Sequence, residues 1–391
     1  MQELLMIPGP VTVSPDVLAA SSQPMRNHRG PFAAGVYKHL AERLADVFAT
    51  SQPVLLLGSS GTGAMEATIV NLFSPGDRLL AMPMGVFGER HIGIARAYGA
   101  QVEVIETEWG KAVDPNRLRE RLAHDRAGEI KGVLVTYNET STGVQNDLLA
   151  LARARADHPA LFVVDAVSAL GAVDVRMDDW GLDAVIGASQ KALAAPPGAA
   201  MIALSRRGWE AAEGAKMPRF YFDVRKAKDA AAKGQTPWTP PFNVLLALEQ
   251  ATDNYTKEGR LFAFARHARF AEAIRAGCSA MGLRIFARPG AYSNTVTAVS
   301  APAGIDHKAL QQTLRERYGV VAGGGQLKLE GKVLRLGNMG AIGRKDILTT
   351  IGALEMALRD FGVEVSPGAG TAAANAVFAR TEAAKPRVAV G

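Results

Sequence analysis

The run Ala184–Ala200, AVIGASQKALAAPPGAA, carries a single lysine, Lys191, among small and apolar residues. Ala184-Val185-Ile186-Gly187 reads as the end of a buried strand, and Pro196-Pro197-Gly198 as a turn before the next apolar run, Ala199–Leu204. Burial disfavours an ammonium and can lower its pKa by several units, leaving a nucleophile able to form a Schiff base. At a loop edge the same lysine would simply snorkel to solvent. Upstream, Leu161-Phe162-Val163-Val164-Asp165 is an apolar strand ending in a carboxylate, with Ala166-Val167-Ser168 after it. Ligands of open α/β sheets bind beyond the carboxyl ends of the strands. A buried aspartate there needs a cationic partner, unless it caps the following helix. A Schiff-base lysine and a strand-end aspartate together point to pyridoxal phosphate, whose protonated ring nitrogen makes it an electron sink.

Other stretches carry residue types suited to anions. Pro53–Leu57 is a short apolar strand that runs into Gly58-Ser59-Ser60-Gly61-Thr62-Gly63, and a helical pattern starts at Ala64. A strand, a Gly/Ser/Thr turn and a helix aim amides and hydroxyls at an anion. No Gly-Lys-Ser/Thr closes this turn, and its glycines lack dinucleotide spacing, so it is neither a Walker loop nor a GxGxxG fingerprint. A plain glycine turn stays open. Gly331-Lys332-Val333-Leu334-Arg335-Leu336-Gly337 is an apolar strand holding one arginine. Its guanidinium matches a carboxylate bidentately, or makes a structural ion pair.

Composition bounds the class. The chain has 391 residues, 48% hydrophobic and 21% charged, enough for a large core and two domains. A single cysteine, Cys278, rules out an internal disulfide and a Cys-rich metal site, and fits a reducing compartment. Net charge is +6, but the basic residues are scattered and aromatics are only 6%, which argues against nucleic acid. The N-terminus lacks the pattern of a signal peptide, and no apolar run approaches a membrane span. A soluble, cytoplasmic protein without membrane or nucleic-acid partners is expected.

The elements that must position these residues alternate strand and helix. Strands are expected at Arg78–Met82, Val102–Ile105 and Gly132–Thr136, with helices from Gly85 to Tyr98 and after the caps Asp114 and Asp147. This alternation implies a mostly parallel α/β sheet with helices on both faces. Pro8-Gly9-Pro10 and Ser14-Pro15 predict an extended arm rather than a helix. A long helical stretch, Phe242–Met281, leads into a small α+β domain with a strand at Asn294–Val299 and helices at Asp306–Arg317 and Lys345–Phe361. The expected division is an arm at 1–21, a large domain at 22–260, a small C-terminal domain at 261–365 and a flexible tail at 366–391.

SQKALAAPPG, with VVDAVSALG before it, resembles the class V aminotransferases of fold type I. The likeness is strongest to the alanine–glyoxylate and serine–pyruvate (serine–glyoxylate) group. It runs from PGPVTVSP to GKVLRLGNMG. The resemblance implies a large domain with a mostly parallel seven-stranded sheet, pyridoxal 5'-phosphate on Lys191, and Asp165 on its ring nitrogen. It implies that Ser60, Gly61, Thr62 and Gln190 hold the phosphate, that Phe87 stacks on the ring and Val167 lines its site, and that Thr140 contacts the ring oxygen. It further implies a homodimer with shared active sites, in which Thr236 and Thr239 of KGQTPWTPP reach the partner's phosphate, with Trp238 narrowing the site. Arg335 would clamp the substrate carboxylate. With no second arginine so marked, small donors such as alanine or serine are expected, with glyoxylate or pyruvate as acceptor. The alternatives are a lyase or desulfurase of the same fold, which Cys278 outside every motif disfavours, or another donor such as aspartate.

Overall fold

The apolar runs become the strands of one buried sheet. The computed structural model describes residues 3–300, 302 and 304–383. Its strands in chain order are β1 (Leu4–Met6), β2 (Val54–Gly58), β3 (Arg78–Ala81), β4 (Gln101–Val104), β5 (Ile130–Thr136), β6 (Asn138–Glu139) and β7 (Val144–Gln145). There follow β8 (Leu161–Asp165), β9 (Ala184–Ala188), β10 (Ala199–Leu204), β11 (Arg284–Ile285), β12 (Val296–Ser300), β13 (Val320–Gly324) and β14 (Leu334–Gly337). Among the described residues, seven strands form the large sheet in the order β2-β10-β9-β8-β5-β3-β4. Only β10 runs against its neighbours, so the expected mostly parallel sheet is present.

Both faces of this sheet are covered, which is why its strands are apolar at consecutive positions. Phe162 and Val164 of β8 enter one core, beside Leu40 and Leu44 of α2 (Pro31–Phe48), which follows the short α1 (Pro15–Ser21). Leu161 and Val163 enter the opposite core, with Met65 and Ile69 of α3 (Gly61–Leu72) and Ile92 of α4 (Val86–Ala97). Asp114 and Asp147 cap their helices through their side chains, as expected.

Four expectations change. Residues 15–21 are helical, because proline at the first position of a helix gives up no needed hydrogen bond. Asp16 then accepts hydrogen bonds from Gln250 and Asn254 of helix Phe242–Glu258. The arm is not separate either: β1 pairs in parallel with β13 and so belongs to the small sheet, β1-β13-β14-β12-β11. The stretch 242–281 is two helices, split at Gly259 (φ 86°). The second, Arg260–Ala280, puts Ala263 in a large-domain core and Ile274 and Cys278 in the small-domain core. The expected division at 260/261 falls at the start of this second helix, which packs into both cores.

Finally, Ala369–Ala383, expected as part of a flexible tail, is a helix. Alanine is the strongest helix former. Val377 and Phe378 are buried, with the Phe378 ring edge-on to Phe270 at 6.0 Å. Glu355 accepts the amides of Gly368 and Gly370 at the start of this helix. Residues 384–391 of the expected tail lie outside the described residues. Among the described residues, no helix is long and apolar enough to cross a membrane.

Candidate active site

The carboxyl ends of β2, β3, β5, β8 and β9 share one edge of the large sheet, and the candidate residues gather there. Asp165 closes β8 between Thr136 of β5 and Ile186 of β9. Three residues beyond β9 comes Lys191, held by a tight turn. Ser189 donates through Oγ to Pro196 O (2.6 Å), the Ala194 amide bonds to Lys191 O (2.9 Å), and Ala194 itself is left-handed (φ 55°). Lys191 is half-buried, and its Nζ donates to the carbonyl of Pro8 at 2.6 Å. The Pro-Gly-Pro arm lies directly against the lysine. A Cβ on Gly9 would sit 2.8 Å from Nζ, and one on Gly337 of β14 would strike the Ile7 carbonyl.

Burial lowers the Lys191 pKa to about 8, helped by the positive field of Arg335 and opposed by Asp165. Asp165 is shifted the other way. Burial raises it to about 6, against the Val167 amide bonded to its Oδ1 at 2.9 Å and the charges of Lys191 and Arg90. Among the described residues, no cation lies in ion-pair contact with this carboxylate. Such a group is stable as an anion only when a charge partner arrives.

A second feature faces the same edge. Ser60 caps α3 in extended conformation without a side-chain bond, and the amides of Gly61 and Thr62 have no acceptor among the described residues. Open first-turn amides attract an anion. Gly61 is required there, since a Cβ would lie 2.8 Å from Val167. Gln190, next to Lys191, has a buried Oε1 without a partner. From the small domain, Arg335 on β14 is buried and donates through Nε to Gly324 O (2.7 Å) and through NH1 to Thr140 O (3.1 Å). An amine of lowered pKa, an unpaired buried carboxylate, an open helix N-terminus and a buried guanidinium thus stand around one edge.

The profile of the family described as "Aminotransferase class-V" matches residues 18–330. The chain belongs to the class V aminotransferases. It is therefore a transaminase, built on the fold type I architecture that its sheet displays. The soluble hydrogenase 42 kDa subunit of Anabaena cylindrica is 40% identical over 377 residues, covering 96% of this chain and 98% of that protein. The L-aspartate–glyoxylate aminotransferase of Paracoccus denitrificans is 38% identical over 387 residues, 98% of each chain. Among solved structures, pyridoxamine–pyruvate aminotransferase from Mesorhizobium loti superposes with a TM-score of 0.93 at 30% identity, covering 97% of this chain and 98% of that one.

For this class V aminotransferase, the structure links the candidates pairwise: Gly61 packs on Val167, which bonds Asp165; Arg90 joins Thr62 to Phe87; Thr140 holds Arg335; and the charges of Asp165 and Arg335 act on Lys191, next to Gln190. It does not bring in Thr236 and Thr239. Their loop packs on α2 of its own chain, where a Cβ on Gly234 would meet Ala34 at 2.8 Å, and Thr236 donates to Trp238 O. Within its own chain Trp238 stacks on Phe220 at 5.0 Å and donates through its indole N–H to Tyr221 O. Sequence reasoning missed Arg90, which donates to Thr62 Oγ1 at 3.0 Å and lies over the Phe87 ring at 4.7 Å. Its place, one helical turn after Phe87 on α4, is the signal that could have found it. Cys278 is buried in the small-domain core with its pKa pushed up to about 12, which leaves no reactive thiol for desulfurase chemistry.

Proposed function

We propose that this aminotransferase depends on pyridoxal 5'-phosphate and transfers the amino group of a small amino acid, alanine or serine, to glyoxylate or pyruvate. The observation that carries the cofactor reading is the unpaired buried Asp165 facing an amine of lowered pKa. The residues present fit the group. Gly61 and Thr62 offer open amides at a helix N-terminus for its phosphate, with Gln190 assigned beside them, Phe87 and Val167 to the faces of its ring and Thr140 to its ring oxygen. When bound, the cofactor supplies an electron sink for the electrons released at the substrate Cα.

The chain's own groups do the rest. Lys191 takes the proton from Cα and returns it, a role suited to an amine with pKa near neutrality. Between those moments the Pro8 carbonyl holds its Nζ. Asp165 would hold the proton of the ring nitrogen as a carboxylate, the ring cation being the charge partner that its buried position lacks. Arg335 binds the α-carboxylate shared by every donor and acceptor. Its hydrogen-bond partners in the structure are carbonyl oxygens, and the Glu139 charge acts on it without a direct ion pair, which leaves guanidinium donors for a substrate carboxylate.

Glyoxylate and pyruvate appear as acceptors in the names of the Paracoccus and Mesorhizobium relatives. Small donors follow from the site. Besides Lys191 and Arg335, the cation acting on it is Arg90, which is engaged at Thr62. Aspartate is the second reading, favoured by the Paracoccus relative's name. Purified protein assayed with alanine, serine and aspartate against both acceptors decides between them. A visible-region band that borohydride removes is expected, with alanine or serine as the best donor. A protein with no such band ends the cofactor reading, and aspartate as best donor ends the small-donor reading.

Arg335→Ala is expected to weaken substrate binding by ~2–5 kcal/mol, as for truncating one side of a buried charge pair, and to leave the cofactor band unchanged. Titrating the band with alanine measures this; unchanged affinity removes Arg335 from the clamp. The reading also includes a homodimer, with Thr236 and Thr239 serving the partner's phosphate. It is supported by the exposure of Phe32 at the start of α2 and of Phe220 and Tyr221 beside Trp238. The exposed Phe220 and Tyr221 rings stack with Trp238 in one cluster, the kind of patch that marks interaction surfaces. Sedimentation of active enzyme should give a dimer, and an active monomer would refute the cross-subunit part. A cytoplasmic location belongs to the same reading, on the lone cysteine.

A further inference from the structure

The two helices that begin at the active-site edge are treated differently by the fold. The first amides of α3 are open, whereas those of α4 are all taken. Gly85, the residue before α4, has no side chain with which to cap it. A Cβ there would run into Glu139 and Ser141, so the cap comes instead from the turn that joins β6 to β7. Ser141 Oγ accepts the Val86 amide at 2.9 Å, and Glu139 Oε2 accepts those of Phe87 at 3.0 Å and Gly88 at 3.1 Å. The other carboxylate oxygen accepts from the Ser141 amide (3.1 Å) and hydroxyl (2.6 Å). Glu139 has no exposed surface. Four donors use the acceptor capacity of both its oxygens, so it has none left for a substrate. A buried carboxylate costs several kcal/mol unless fully bonded, and burial does push its pKa up, with the Ser141 and Gly88 bonds opposing. A group retained at that cost, at the positive end of a helix, fixes that end in place.

What it fixes is the second residue of α4, Phe87, whose own amide is one of the four donors. We infer that Glu139 is the positioning residue that sets the Phe87 ring against the cofactor. The next residue along the turn, Thr140, holds Arg335 through its carbonyl, so the same turn anchors the ring-stacking helix and the substrate clamp. This inference rests on the cofactor reading above.

The test is the affinity of each apoprotein for pyridoxal phosphate, read by fluorescence quenching, with circular dichroism of the bound cofactor. Glu139→Gln keeps the shape but turns an N–H donor toward amides that need an acceptor. It should weaken binding by about 10- to 100-fold, as for a buried hydrogen bond to a charged group, and alter the dichroic band. Phe87→Leu should weaken binding too. In that background Glu139→Gln should add less than about threefold, because the two changes act through one contact. Ser141→Ala, a milder change in the same cap, should shift affinity in the same direction and carries the test if Glu139→Gln does not fold. Wild-type apoprotein that binds no pyridoxal phosphate overturns both readings. Normal wild-type binding with unchanged affinity in Glu139→Gln or Ser141→Ala, or additive effects of Glu139→Gln and Phe87→Leu, overturns this inference alone.

Discussion

Lys191→Ala is expected to abolish transamination in a protein that still folds. The side chain is half-buried, and its one hydrogen bond is to the Pro8 carbonyl, so truncation leaves one acceptor to be met by water. It also removes a desolvated amine whose charged form the site disfavours. Among the described residues, the other cations acting on this position are Arg90 and Arg335, which do not form Schiff bases. Mass measurement after borohydride reduction should show the cofactor's mass added to wild type and not to the variant. The same amine sets a pH signature. An amine with pKa about 8 is increasingly neutral as pH rises toward 8 and fully neutral well above it. Covalent capture of pyridoxal phosphate by the apoprotein should therefore speed up with pH through that range and then level off. Retained turnover in Lys191→Ala, or a capture rate still climbing near pH 10, would refute the assignment.

Asp165→Asn should cost orders of magnitude in turnover while making the apoprotein no less stable at neutral pH. Burial raises the Asp165 pKa to about 6, above the range of an unfolded carboxyl. The native state then holds this proton more tightly than the unfolded chain does, so stability falls as pH rises through the window up to about 6. Above that window the cost is complete, at ~3 kcal/mol for a shift of this size. An asparagine carries no charge and can still accept the Val167 amide, so it escapes the cost. It also cannot keep a pyridine nitrogen protonated. Thermal unfolding of the two apoproteins at pH 5 and pH 7.5 should show the variant gaining on wild type at the higher pH. Its transamination rate should collapse at both. A variant that turns over normally, or that loses stability at pH 7.5, means that the carboxylate is paired in a way the buried strand end does not suggest. Stability given up at a functional position is the general pattern for active sites.

Asp165 and Lys191 were legible before any fold was known because each ends or follows an unbroken apolar run. Such a run must be a buried strand, and the polar residue at its end is placed at a sheet edge by local sequence alone. The caps Asp114 and Asp147 were legible for the same reason, as their partners are two or three residues away. The arm and the tail were harder. Pro15 signals a helix start as readily as an extended chain. The alanine-rich 369–383 has so few large apolar residues that its buried face is hard to see without Phe270 beside Phe378.

The contacts that finish the site depended on the order of strands. β2 pairs with β10 rather than with β3, and β5 lies between β3 and β8. That order brings α4 to α3, so that Arg90 reaches Thr62, and sets the turn after β5 under the first amides of α4. Pairing of β1 with β13 carries Pro8 across the domains to Lys191. Sequence by itself determined which residues have the chemistry, since residue type and local burial are written in the near neighbours. Tertiary structure decided which of them meet, because a hydrogen bond between residues far apart in the chain exists only once the sheet order has closed the distance.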